Sequence, residues 1–519
     1  MKSNNACLWS ILLLALVLRL YGLENRALWT DESYSVSFTF YPITDLFYHR
    51  YLNRPIYFVF LKLWSIFFGT GEFFLRLPSV LFGVISVWAI YKLGRLIFNK
   101  KVALWAAFLL ALSPFHIYWS QEVRNYTFVI FLAIINMFYF IRLLKFDRKR
   151  DYIAYTFVTI ILIYSHPMTL YLIPVQHIFA FFSLSRKRLK KWLKWWAIIF
   201  IFLAVLIGIC LATVGSHTFI RFNQRLTPSY LFPVIETFNY GGPIQAHGQD
   251  GFVIVNKKLI VPRILNVLFA VIFIIALKPL YFKKIKDIKG GVNSIRGRLF
   301  FLLLWLLIPV IIPYLSSVFY VSFYLLRHTI ISLPAYYLII AYGVSLLRSK
   351  RLMILIVCII MFLMSFALYN YYNLSKNRLS WREIGLYLRK NIKPADAVIF
   401  IPTDQMPAFF YYFNYNEQDS LKNIDVTGKV INKRSVKEFK INNNLFIGVD
   451  LFKVKDFINR DKALPIVNQN RNVWLIMSPD WPGVFSESFY SYLNKYYNLI
   501  YSMYASYNGA ELRCYKIKN

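Results

Sequence analysis

Polar residues interrupt an otherwise apolar chain at recurring places. Asp31 and Glu32 follow the first apolar run, and Gln121, Glu122, Arg124 and Tyr126 fall between the third and fourth. His166 lies between the fifth and sixth, and Arg327 and His328 lie near the start of the tenth. Arg19, Arg76 and His116 sit at the matching edges of the first three. A carboxylate in a restricted cleft can take up a proton, and a guanidinium can hold a phosphate through paired donors. Ionisable groups at membrane depth are costly, so their gathering at one face points to a functional site. A transporter would more often place them near the bilayer midplane. Each residue also has a plainer reading. Arg19, Arg76 and Arg327 could snorkel to headgroups. His116 and His166 could be hydrogen-bonded packing residues. Glu122 could pair with Arg124 across the turn. The functional reading rests on their joint placement.

The elements that must carry these residues are membrane helices. Of 519 residues, 58% are hydrophobic, only 16% are charged, and the mean hydropathy is +0.48. A soluble chain would carry about 25% charged residues. Apolar runs near twenty residues match a hydrocarbon core about 30 Å thick, and backbone groups there must be satisfied internally, hence helically. The pattern predicts about eleven spans, roughly 7–23, 74–98, 102–120, 124–144, 152–166, 168–184, 193–214, 262–282, 299–318, 323–347 and 352–372. The first is read as a retained span, because no small-residue cleavage site follows it.

The net charge of +36 belongs to the loops. Lys145 to Arg150, Arg186 to Lys191, Lys283 to Arg298 and Arg348 to Arg351 are short basic connections. This is the distribution that sets membrane orientation, and it argues against a nucleic-acid partner. With the N-terminus inside, every strongly basic loop falls inside. The loops at about 24–73 and 215–261 and the segment 373–519 then fall outside. Pro55 to Phe68 is apolar but short, and reads as a helix lying in the interface. Cys7, Cys210 and Cys358 lie in apolar runs and Cys514 near the C-terminus, which suggests neither a disulfide framework nor a thiolate metal site.

Residues 1–372 therefore form a predicted transmembrane module and 373–519 a predicted small extracytoplasmic α/β domain. Ser380-Trp381-Arg382-Glu383 is a capping box. Strand-like runs follow at Ala397 to Ile401, Leu445 to Val449 and Val473 to Met477.

The segments Leu28-Trp29-Thr30-Asp31-Glu32-Ser33-Tyr34-Ser35, Arg76-Leu77-Pro78-Ser79, Ser113-Pro114-Phe115, Ser120-Gln121-Glu122-Val123-Arg124-Asn125-Tyr126 and Leu326-Arg327-His328 with Leu333-Pro334 follow one another in a familiar order. So do Trp381-Arg382 and Asp396. Together they resemble the GT-C superfamily of lipid-linked-sugar glycosyltransferases, above all the bacterial proteins related to protein mannosyltransferases and aminoarabinose transferase. One departure stands out. Where relatives carry His-Pro-Pro or Lys-Pro-Pro, this chain has Asn53-Arg54-Pro55, and Arg54 would have to serve as the cation.

The resemblance implies a multi-pass enzyme of the cytoplasmic membrane. It would move a sugar from a polyprenyl-phosphate donor to an envelope acceptor. Asp31 would be the base, with Glu32 and Glu122 orienting cations or holding a divalent metal ion. Arg54, Arg124 and Arg327 would contact the donor phosphate, and Gln121, Tyr126, His166 and His328 would line the site. No phosphate-binding nucleotide loop is present, as suits a donor without a nucleotide. The alternatives are a lipid-linked glycan carrier without chemistry and a membrane-anchored binding protein. Cysteine labelling is expected to place Asn53 and Glu72 on the same side of the membrane; labelling from opposite sides would make Pro55 to Phe68 a span and invert everything after it.

Overall fold

The computed structural model describes residues 3–40, 55–214, 231–241, 260–281, 291–319, 324–376, 381–394, 396–401, 406–413, 436–441, 444–449, 472–477, 494, 497–503 and 511–517. The helices, in chain order, are α1 (Ser3–Leu20), α2 (Thr30–Phe40), α3 (Pro55–Phe68), α4 (Glu72–Ile97), α5 (Lys100–Leu112), α6 (Pro114–Ser120), α7 (Tyr126–Phe146), α8 (Lys149–Ile163), α9 (Leu172–Ser183), α10 (Arg186–Val214), α11 (Phe232–Tyr240), α12 (Ile260–Tyr281), α13 (Ile295–Phe319), α14 (Leu333–Ser345), α15 (Lys350–Lys376), α16 (Trp381–Asn391) and α17 (Met406–Phe413). Short 3₁₀ segments at Pro167–Tyr171 and Leu326–Ser332 lead into α9 and α14. The chain divides into two compact units. One holds 1–23, 42–245 and 252–372, and the other 24–41, 246–251 and 373–519.

In the first unit α4 packs on α1, α5 and α7, and α14 packs on α5, α12 and α13. Small residues set the closest approaches, as membrane packing requires. A Cβ on Gly94 would come within 2.9 Å of the Ala103 Cα, and one on Gly343 within 2.8 Å of the Ile272 side chain. Between α7, α8 and α9 runs a buried polar chain. Asn136 donates to Thr159 at 2.7 Å, Gln176 to Asn136, and Tyr155 to Gln176. These groups satisfy one another inside the protein.

Among the described residues, seven helices are long and apolar enough to cross a membrane, or eight if α5 and α6 form one broken span. That is fewer than the eleven runs in the sequence, and length is the reason. The runs at 152–166 and 168–184 fold as α8, of 15 residues, and α9, of 12, about 22 and 18 Å long at 1.5 Å per residue. The 3₁₀ turn at Pro167 consumes the remainder. The run at 7–23 is likewise short, its apolar helix covering Ala6–Leu20, and α3, which was not among the eleven, has 14 residues.

Basic side chains tie one end of this unit together by capping helix C-termini, where the macrodipole is negative. Lys101 reaches the Ser345 carbonyl at 3.3 Å, Lys145 that of Leu96 at 2.5 Å, and Arg188 those of Leu143 and Leu144 at 2.7 and 2.8 Å. Burial alone would raise the Asp147 carboxyl. Hydrogen bonds from Lys191 and Tyr152 and the charge of Arg188 outweigh it and hold Asp147 below the ordinary carboxylate range.

The second unit contains a six-stranded sheet built from β1 (Ala397–Ile401), β2 (Val436–Ile441), β3 (Asn444–Val449), β4 (Asn472–Met477), β5 (Tyr497–Met503) and β6 (Glu511–Ile517). The order is β2-β3-β1-β4-β6-β5, with β1 parallel to both neighbours and the outer pairs antiparallel. Ala397 to Phe400 are wholly buried, as a central parallel strand requires. Gly385 lets α16 press against α17, since a Cβ there would lie 2.8 Å from the Tyr412 Cβ. α2 packs on α17, and the Leu28 amide donates to the Tyr412 hydroxyl at 2.7 Å. Ser380, the predicted cap of α16, lies outside the described residues.

Burial, with the nearby charge of Asp396, pushes the Cys514 thiol up to about 12. Asp396 itself joins β1 to β4. Its carboxylate accepts from the Lys393 amide at 3.0 Å, the Asn472 amide at 3.2 Å, the Asn472 side chain at 2.9 Å and the Trp474 indole at 3.0 Å. Asp396→Ala would strand these donors, each worth about 1–3 kcal/mol when buried and unpaired. Hydrogen exchange at β1 and β4 in the intact protein is expected to quicken at least tenfold; unchanged protection would refute this role.

Candidate active site

The site in the first unit is built on a broken helix. Proline cannot donate to a helix interior, and α5 stops at Leu112 so that α6 can restart at Pro114, bent by 61°. Ser113 caps the restart by accepting from the His116 amide at 3.3 Å. Residues 114–130 are buried throughout, although they include a turn and many polar groups. A buried turn must have its polar groups paired.

Arg19 joins this turn to the end of α5. It is 0% exposed. Its Nε donates to the Ser120 hydroxyl at 3.2 Å, and its Nη1 to the carbonyls of Ala15 at 3.0 Å and Ala111 at 3.1 Å. Nη2 donates to the Leu110 carbonyl at 3.1 Å and meets the His116 Nδ1 at 2.8 Å. All five guanidinium donors are used. Because arginine can only donate, His116 must accept at Nδ1 and carry its proton at Nε2. The cation also sits on the last carbonyls of α5, which favour positive charge.

The adjoining residues continue the clamp. Gln121 donates to the Arg19 and Tyr21 carbonyls at 2.9 and 2.8 Å and accepts from the Tyr371 hydroxyl at 2.7 Å. Its amide thus holds the end of α1 and α15. Asn125 donates to the Ser165 carbonyl at 2.7 Å, fixing the start of α7 to the turn that carries His166. Arg76 donates to the Leu23 carbonyl at 2.7 Å and lies 3.5 Å from Glu72.

Three rings gather beside this clamp. Tyr126 and His166 have centroids 5.8 Å apart, His166 and His328 5.1 Å, and Tyr126 and His328 6.5 Å. The Arg124 guanidinium lies 5.9 Å from the Tyr126 ring, within cation–π range. The His166 Nδ1 accepts from the Met168 amide at 3.1 Å, which leaves its proton at Nε2. Glu122 is 1% and Arg124 8% exposed, while Arg327 and His328 are half-buried. α5 and α7 each have their other end among the basic loops, so this cluster lies at the opposite end of the unit.

Asp31 and Glu32 belong to the second unit, in the first turn of α2, where the helix dipole favours negative charge. Glu32 is buried and accepts from the Trp29 amide at 3.4 Å, whereas Asp31 is half-buried. Arg54 lies outside the described residues. Among those residues no three His, Cys, Asp or Glu side chains converge as a metal set. The sequence marked Arg19 and His116 as edge residues but gave no sign that one clamps the other. Their contact spans 97 positions.

Residues 53–210 match the family model described as dolichyl-phosphate-mannose-protein mannosyltransferase. No curated protein matches the chain by sequence. Among solved structures, ArnT from Cupriavidus metallidurans in the apo state superposes with a TM-score of 0.60 at 11% identity, over 99% of this chain and 98% of that one. The same protein bound to undecaprenyl phosphate gives 0.55 at 10%, over 97% of each chain. The oligosaccharyltransferase AglB from Archaeoglobus fulgidus, in complex with an inhibitory peptide and a dolichol-phosphate, gives 0.54 at 13%, over 99% of this chain and 74% of that one. The chain has the fold of the GT-C membrane glycosyltransferases. The broken helix and the buried polar turn lie within the part matched by the family model.

The clamp depends on Gly83 of α4. A Cβ there would overlap the Ser120 hydroxyl and stand 3.0 Å from the Arg19 Nε. Overpacking of this kind costs about 1–3 kcal/mol. Gly83→Ala is expected to lose that much stability in unfolding measured in lipid, and an unchanged midpoint would contradict the close approach.

Proposed function

We propose that this protein transfers a sugar from a polyprenyl-phosphate donor to a cell-envelope acceptor, at the membrane face opposite its basic loops. The carrying observation is the buried polar turn. Glu122, Arg124 and Tyr126 lie with His166 and His328 at one end of the helical unit, and Arg327 adjoins His328. A lipid-borne sugar phosphate presents its reacting atoms at that depth. The likeness to one protein solved with undecaprenyl phosphate and another with dolichol-phosphate supports the donor class. The basic loops support an orientation with 373–519 outside, in keeping with the cytoplasmic membrane.

In this reading the acceptor hydroxyl or amine attacks the anomeric carbon. Its proton passes to the Asp31 carboxylate. The bond from the anomeric carbon to the phosphate oxygen breaks, and the electron pair leaves with the polyprenyl phosphate. Arg124 and Arg327, with Arg54, stabilise the charge that grows there. Tyr126, His166 and His328 shape the sugar pocket. Gln121 and Asn125 hold the turn in place, and Glu122 orients the cations. One displacement inverts the anomeric centre.

Purified full-length protein, radiolabelled polyprenyl-phosphate sugars and an envelope extract make the assay. Asp31→Asn keeps the side-chain shape and should lower the transfer rate about 10²–10⁴-fold while donor binding survives. Arg124→Ala and Arg327→Ala should instead weaken donor binding as well as rate. Transfer by folded Asp31→Asn protein within a few-fold of wild type would remove Asp31 from the mechanism, and no label transfer by wild type would sink the proposal.

A further inference from the structure

The basic N-terminal part of α10 is sorted by its neighbours into two faces. The inward face is fully engaged. Arg188 donates to the last carbonyls of α7, Lys191 lies 2.9 Å from Asp147, and Trp192 and Trp196 are wholly buried. Trp195 stacks on Tyr152 at 5.8 Å. The outward face carries Arg186, Lys187, Lys190 and Lys194, all exposed. At about 100° per residue these four fall within about 100° of arc. None has a hydrogen bond or ion pair among the described residues. The nearby acids are already committed, Asp147 to Lys191 and Arg188 and Asp151 to Arg142 at 2.7 Å.

The same arc continues along the helix as exposed apolar surface. Ala197, Ile201, Val205 and Gly208 lie on it, with Ile201 65% and Val205 52% exposed. Leu193 and Ile198 flank it at 48% and 41%. From Arg186 to Lys194 the rise is about 12 Å, and from Lys194 to Gly208 about 21 Å, longer than the roughly 15 Å of one leaflet's hydrocarbon. A patch of uncompensated positive charge therefore stands at the head of an apolar stripe of acyl-chain length.

We propose that this face of α10 is a binding site for an anionic phospholipid of the leaflet at the basic end. The quartet holds the headgroup phosphate and the stripe holds an acyl chain. Lone snorkelling side chains would meet any headgroup equally. Four cations on one exposed face, with no acid bonded to them among the described residues, discriminate by charge, at about 1 kcal/mol for each basic residue near the surface. The site lies at the other end of the helical unit from the polar turn and does not depend on the transfer reaction.

Native mass spectrometry of full-length protein released from vesicles of equal phosphatidylglycerol and phosphatidylcholine tests this. Wild type is expected to retain phosphatidylglycerol over phosphatidylcholine by about tenfold or more. Arg186→Gln/Lys187→Gln/Lys190→Gln/Lys194→Gln should abolish that preference, whereas Lys350→Gln/Arg351→Gln, on another basic loop, should keep it. Should the quadruple variant fail to fold, the pairs Arg186→Gln/Lys190→Gln and Lys187→Gln/Lys194→Gln should each lose part of the preference. Equal retention of both lipids by wild type overturns the site. So does an undiminished preference in the α10 variants, or an equal loss in the Lys350/Arg351 control.

Discussion

A fully buried guanidinium with every donor engaged is the contact around which the helical unit is organised. Isolated ions pay a large desolvation penalty in a low-dielectric interior. Arg19 meets that penalty with backbone carbonyls, a hydroxyl and an imidazole, not with a carboxylate. Its partners include the last carbonyls of α5 and two side chains of α6, so the ion draws on groups that the break at Ser113-Pro114 makes available. The break in turn exposes carbonyls that need a donor. Each compensates for the other's polar cost. Gly83 supplies the room, and Gln121 extends the clamp to α15.

This arrangement explains how a polar turn can be buried at the end of an apolar bundle. Once the backbone of 113–125 is satisfied, the side chains of Glu122, Arg124 and Tyr126 are carried on a rigid support. Asn125 then brings in the turn of His166 by bonding the Ser165 carbonyl. Preorganisation of this kind suits the proposed transfer, in which charge would develop on the leaving phosphate.

Electrostatics divides the unit into two ends. At one end, Lys101, Lys145 and Arg188 cap helix C-termini, and the basic charge left over on α10 faces outward. At the other, Arg19 and Arg76 are buried and engaged. The net positive charge therefore has two structural duties: helix termination within the protein and an outward field toward the bilayer.

The sequence by itself determined the membrane class, the basic and non-basic ends, and the positions of the polar turns. Those follow from hydropathy, charge placement and proline, which act over a few residues. Strand-like runs at 397–401, 445–449 and 473–477 were likewise readable from local apolar pattern, and each coincides with or falls within one residue of β1, β3 or β4. The number of full-length spans was not readable. An apolar run does not say whether a 3₁₀ turn such as Pro167–Tyr171 will shorten its helix. Nor did the sequence tell which basic residues of α10 point inward, since that is set by Asp147 and the α7 carbonyls. Only the tertiary structure made Arg19 and Gln121 a clamp and joined Tyr126, His166 and His328. Those contacts join residues 40 to 250 positions apart, where neither local periodicity nor spacing carries information.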